Sequence, residues 1–162
     1  MLFRSRFALS TAGLATVALA GTATGATVNW SHGLDRWAGE HSWEVHDSNM
    51  VTVASMAIVG GYITYGGAAS VTASTSYPST SSHFADFAGT MNLAAGTYHV
   101  AMHDSYGDGW AWGSYVGGLA IGSGSATCSG SYASFSFTVV PAPGAMALLG
   151  LAGLAARRRR RD

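Results

Sequence analysis

Two apolar, arginine-flanked ends confine the foldable part of this chain to its middle. Arg4 and Arg6 precede an apolar stretch, Phe7 to Ala20, which gives way to the small residues Gly21 to Ala26. Basic, then apolar, then small is the layout of a secretory signal peptide, and cleavage is expected after Ala26. At the other end Val140-Pro141-Ala142-Pro143 leads into an apolar run, Ala145 to Ala156, and then into Arg157-Arg158-Arg159-Arg160-Arg161. As a helix that run is roughly 18 Å long, short of the hydrocarbon core of roughly 30 Å that takes about 20 residues to span. The arginines resist translocation and should stay cytoplasmic. The tail (residues 141–162) is thus expected to hold a translocated chain at the membrane with its domain outside. Residues 27–140 remain, about 115 in number and enough for one domain.

The tail resembles the PEP-CTERM sorting signal of Gram-negative bacteria. The likeness runs from Val140 to Asp162, with Pro141-Ala142-Pro143 standing where the family has Pro-Glu-Pro. It implies export through the Sec translocon, transient anchoring in the inner membrane and processing by an exosortase-type enzyme. The expected destination is the cell envelope, the outer surface or the extracellular space. Sorting tails of this family accompany exopolysaccharide production and biofilm.

Charge is distributed as export would have it. The chain contains no lysine, and of its eight arginines only Arg36 lies between the two ends. Against it stand Asp35, Glu40, Glu44, Asp47, Asp86, Asp104 and Asp108. A domain this acidic has no basic footprint for phosphate backbones, which excludes nucleic acid as a partner. It suits divalent cations instead. Cys128 is the single cysteine, so no internal disulfide forms, and a small buried residue is its simplest role.

Between the ends no helical period survives. Trp43 and Val45 alternate with Ser42 and Glu44 in His41 to His46, a strand pattern. Met50 to Met56 and Ile58 to Tyr65 read as a hairpin turning at Gly60-Gly61. Ser70 to Ser82, rich in Ser and Thr and holding Pro78, reads as an exposed, inserted loop. Tyr98 to Asp104 alternates, with Tyr98, Val100 and Met102 on one face and His99, Ala101 and His103 on the other. Tyr115 to Ile121 and Ser134 to Val140 complete the set of strands. Short strands and glycine turns predict an all-β fold, a small β-sandwich or jelly roll. It is flanked by the N-terminal signal peptide and the C-terminal hydrophobic helix.

The densest chemistry lies in Asp104-Ser105-Tyr106-Gly107-Asp108-Gly109-Trp110. Two glycines let the chain fold back and bring the Asp104 and Asp108 carboxylates together. Such a pair repels unless a cation or hydrogen-bond donors intervene. The motif admits two readings: the aspartates cap a turn through backbone N–H groups, or they hold calcium. It is not an EF-hand, because Tyr106 and Tyr115 stand where further oxygen ligands belong. Trp110, Trp112 and Tyr115 crowd the same region, either as core or as a platform for sugar rings. Zinc is disfavoured, since His99 and His103 stand about 13 Å apart along a strand.

Together with Ser42-Trp43-Glu44-Val45 and Ser131 to Phe137, this heptapeptide resembles a β-rich module recurring in secreted bacterial proteins, over about Ser42 to Val139. The likeness implies fold and secretion and carries no activity. No catalytic set is legible, so a non-enzymatic surface or matrix protein touching polysaccharide is expected. The alternatives are a calcium-dependent carbohydrate-binding module and a small secreted hydrolase.

Overall fold

The computed structural model describes residues 25–140, apart from 68 and 79. The stretch expected to be a signal peptide, up to residue 24, and the tail from Pro141 to Asp162 lie outside the described residues. Among the described residues no helix is long and apolar enough to cross a membrane.

Twelve strands are present: β1 (Ala26–Asp35), β2 (His41–His46), β3 (Thr52–Val59), β4 (Tyr62–Gly66), β5 (Val71–Ser76), β6 (His83–Leu93), β7 (Gly96–Asp104), β8 (Ala111–Trp112), β9 (Tyr115–Val116), β10 (Gly118–Ile121), β11 (Gly124–Ala126) and β12 (Tyr132–Val139). A 3-10 turn, Ala38–Glu40, joins β1 to β2. Two five-stranded antiparallel sheets result, ordered β11-β10-β1-β6-β5 and β12-β7-β2-β3-β4, with β8-β9 as a separate ribbon.

The sheets meet through the inward halves of their alternating strands. In β1, Val28, Trp30, His32 and Leu34 are buried while Thr27, Asn29 and Ser31 are exposed. Trp30 meets Trp43 of the other sheet edge-on at 5.6 Å and Tyr65 at 5.5 Å. Rings of this size contribute most of the apolar area between two layers. Tyr98, Val100 and Met102 point inward as their alternation predicts, and the thiol of Cys128 is buried with them. Burial pushes that thiol's pKa up.

The glycine hairpin forms as read: Val59 pairs with Tyr62, and Gly60 and Gly61 have φ of 60° and 81°. Positive φ at both central residues is what a two-residue turn matched to strand twist requires. Two expectations fail. Ser70 to Ser82 is not wholly a loop, because Val71–Ser76 pairs with β6 as an edge strand. Its hydroxyls serve that pairing, with Thr72 Oγ1 2.9 Å from Thr90 Oγ1 and Ser74 Oγ donating to Ala88 O at 3.0 Å. Tyr115 to Ile121 is not one strand either. The chain changes partners at Gly117, whose N–H donates to Trp110 O and where a Cβ would lie 2.7 Å from Gly33 O.

Candidate functional site

The site is built where β1 and β7 end and the 3-10 turn begins. The register of β1 against β6 shifts between Leu34 and Asp35, and both side chains are buried as a result. Such a bulge re-aims the last side chain of a strand. Asp35 Oδ1 accepts the Trp37 N–H at 2.8 Å, which starts the turn carrying Glu40. The Glu40 carbonyl then accepts the Ser105 N–H at 3.0 Å. That bond ties the 3-10 turn to the heptapeptide.

The heptapeptide is held from several sides. The Asp104 N–H donates to Ser131 O at 3.1 Å, and the Trp110 N–H to Cys128 O at 2.8 Å. Gly107 and Gly109 adopt φ of 93° and 94°. At Gly109 a Cβ would stand 2.6 Å from Cys128 O, so only glycine fits. Asp104 Oδ1 accepts the Gly107 N–H, so the turn-capping reading holds for this residue. Its other oxygen, Oδ2, is buried and has no hydrogen-bond partner.

The fold therefore brings Asp104 and Asp108 together and adds a third carboxylate. One oxygen each from Glu40, Asp104 and Asp108 lie within 4.8 Å of one another, the single such group of three or more metal-ligating side chains among the described residues. Burial pushes the Glu40 pKa up, and the Asp104, Asp108 and Asp35 carboxylates push it further. Asp35 is raised by burial as well, against the Trp37 N–H that favours its charge. Glu40 offers no local sequence signal; its pairing with residue 105 is long-range.

A cleft of about 300 Å³ opens beside the carboxylates, lined by Trp37, Glu40, Tyr106, Asp108 and Trp112. Trp37 and Trp112 meet edge to face at 5.6 Å and are 45% and 42% exposed. The Arg36 guanidinium lies 5.9 Å from the Trp37 ring.

Of the three aromatics picked out in the sequence, only Trp112 reaches the cleft. Trp110 is fully buried, stacked on His41 at 4.4 Å with its N–H donated to His103 O. The Gly109 turn rotates it inward ahead of β8. Tyr115 stacks on His83 at 3.8 Å, and its hydroxyl donates to Asp86 Oδ1 at 3.4 Å. Its pKa is pushed up to about 12 by burial and then by the Asp86 carboxylate.

Beneath Trp110 runs a buried polar chain that the sequence did not reveal. His32 Nε2 lies 3.2 Å from His41 Nδ1, and His41 Nε2 lies 3.2 Å from Asp35 Oδ1. The second contact is at ion-pair distance but lacks hydrogen-bond alignment. Burial holds the His32 pKa well below its ordinary value, with His41 adding to the effect. Burial alone brings His41 down to about 3. Both imidazoles are neutral at pH 7.

Of the residues expected to form a sorting motif only Val140 is described, exposed just past β12; Pro141, Ala142, Pro143 and Arg157 to Arg161 lie outside the described residues. Comparison with protein-family models gives no match, and neither does comparison with curated proteins or with solved structures.

Proposed function

We propose that the chain is an exported, non-enzymatic protein of the cell surface or extracellular matrix whose folded domain binds calcium through Glu40, Asp104 and Asp108. The observation that supports this is the carboxylate trio, with one oxygen from each residue within 4.8 Å of the others, together with the buried Asp104 Oδ2 that no protein donor satisfies. Leaving such an oxygen desolvated and unpaired is costly, and a cation removes the cost together with the mutual repulsion. An all-oxygen donor set favours a hard cation. Calcium accepts six to eight oxygens in flexible geometry, so water and carbonyl groups can complete what three side chains begin.

The leader and the PEP-CTERM-like tail support delivery through the Sec translocon, processing by an exosortase-type enzyme, membrane attachment through the tail and a role near exopolysaccharide or biofilm. We read the two sheets as a sandwich rather than a jelly roll, because β2, β3 and β4 form a meander within one sheet. A small hydrolase has less support. Its best imidazole–carboxylate chain, His32, His41 and Asp35, is sealed under Trp110.

Thermal unfolding of the full chain with and without calcium tests the reading. At a hundred times Kd, calcium adds about 2.7 kcal/mol, a rise in Tm on the order of 10 °C for a domain of this size. Asp108→Ala, a change at an exposed residue, removes the rise. An unchanged wild-type Tm at millimolar calcium refutes the site.

A further inference from the structure

Two half-exposed indoles set at right angles beside three carboxylates form a surface of mixed character. Apolar ring faces and charge-bearing oxygens share one open cleft of about 300 Å³. Large side chains at the rim of a small acidic domain are unusual unless something covers them, since Trp is mostly buried on average. Trp110, two positions away, takes the buried role, so packing the sheets does not require Trp112.

We infer that this cleft binds a neutral polysaccharide. A sugar ring packs its C–H face on the Trp112 indole, beside Trp37, and a pair of vicinal hydroxyls completes the shell of a calcium ion held by Glu40, Asp104 and Asp108. The inference rests on the calcium reading above and names what that ion is for. Three features carry it. The cleft is open at its mouth and at the small end of ligand-pocket volumes, a fit for one or two sugar rings of a longer chain. Glu40 and Asp108 line both the cleft and the cation group, so an ion there faces the ligand directly. Asp104, the buried member of the trio, does not line the cleft, so it would anchor an ion from below.

Charge selects a neutral polymer over an anionic one. Three carboxylates exceed the charge of one calcium ion by one, and the Arg36 guanidinium 5.9 Å from the Trp37 ring balances that local excess, but the domain as a whole holds seven acidic residues to one arginine. A uronic-acid polymer meets net repulsion at such a surface. A neutral sugar instead gives the indoles its C–H face and gives the carboxylates hydroxyl donors.

The test is isothermal titration of the full chain with a soluble mannan carrying terminal mannosyl groups, with calcium or with EDTA. The same mannan after periodate cleavage of its vicinal diols and borohydride reduction serves as comparison. Binding that needs calcium and is lost with the periodate-treated polymer is the expected result. Trp112→Ala weakens it by about tenfold, the equivalent of about 1.4 kcal/mol, while keeping the calcium-induced rise in Tm, which shows that the variant folds and holds its ion. A wild-type chain whose Tm responds to calcium but which ignores mannan overturns this inference and leaves the calcium site standing. Mannan binding equal in calcium and EDTA, or equal for the periodate-treated polymer, overturns the hydroxyl bridge. No response of Tm to calcium overturns both.

Discussion

Lowering the pH from about 7.5 to about 5 should destabilise this domain through its two buried imidazoles, and the size of the loss follows from linkage. His41 has an ordinary pKa of 6.5 in the unfolded chain and about 3 in the fold. The unfolded state thus binds the proton more readily throughout that window. Stability from this group is fully present above pH 6.5 and is lost as the pH falls toward 3. At pH 5 the loss from His41 alone is about 2 kcal/mol, a large share of the 5–15 kcal/mol typical of a domain. His32, lowered for the same reason, adds in the same direction. Asp35 and Glu40 act oppositely: their raised pKa values mean the fold binds protons more readily than the unfolded chain, so acidification favours the fold through them. That opposition offsets part of the loss from the imidazoles. Urea titrations followed by tryptophan fluorescence measure it, with Trp110 stacked on His41 as a built-in reporter. Equal unfolding free energies at both pH values would refute the reasoning, since the two imidazoles would then not outweigh the carboxylates that oppose them.

Further outcomes follow from the same geometry. Gly109→Ala forces a side chain onto Cys128 O at a positive φ and should cost at least about 1–3 kcal/mol, read as a fall in the urea midpoint; a neutral result means the turn is not pinned as described. Trp43→Ala empties the space between the sheets beside Trp30 and should cost about 3–5 kcal/mol in the same assay. Truncating the chain after Val140 should convert membrane or surface retention into release, checked by fractionating cells that express each form. Equal retention of both removes the tail from the account.

Much of the sheet framework was legible because its signals are local. The Gly60-Gly61 turn and the alternation in His41–His46 and Tyr98–Asp104 each depend on neighbours a few residues apart. β1 escaped notice because His32 and Gly33 interrupt its apolar row, although it lies between β6 and β10 in its sheet. β5 was hidden by serine and threonine, which suit an exposed sheet edge as well as a loop. At the site, Asp104 and Asp108 announced themselves through flanking glycines. Glu40 and Trp37 did not, because a backbone bond to Ser105 brings them in from another part of the chain. Trp110 and Trp112 carry the same spacing signal yet part company, since β8 begins only at Ala111 and the turn before it faces inward.

The antiparallel register of β7 and β12 has a bearing on display. Tyr132 pairs with His103 beside the carboxylates, whereas Val139 pairs with Gly96, about 23 Å away along the strand. Ala26 pairs with Leu93, so the chain enters at that far pole as well. A tether attached beyond Val139 would therefore pull on the pole remote from Trp37 and Trp112. Under the reading proposed above, the cleft would then face away from the anchoring surface, where a polymer could reach it.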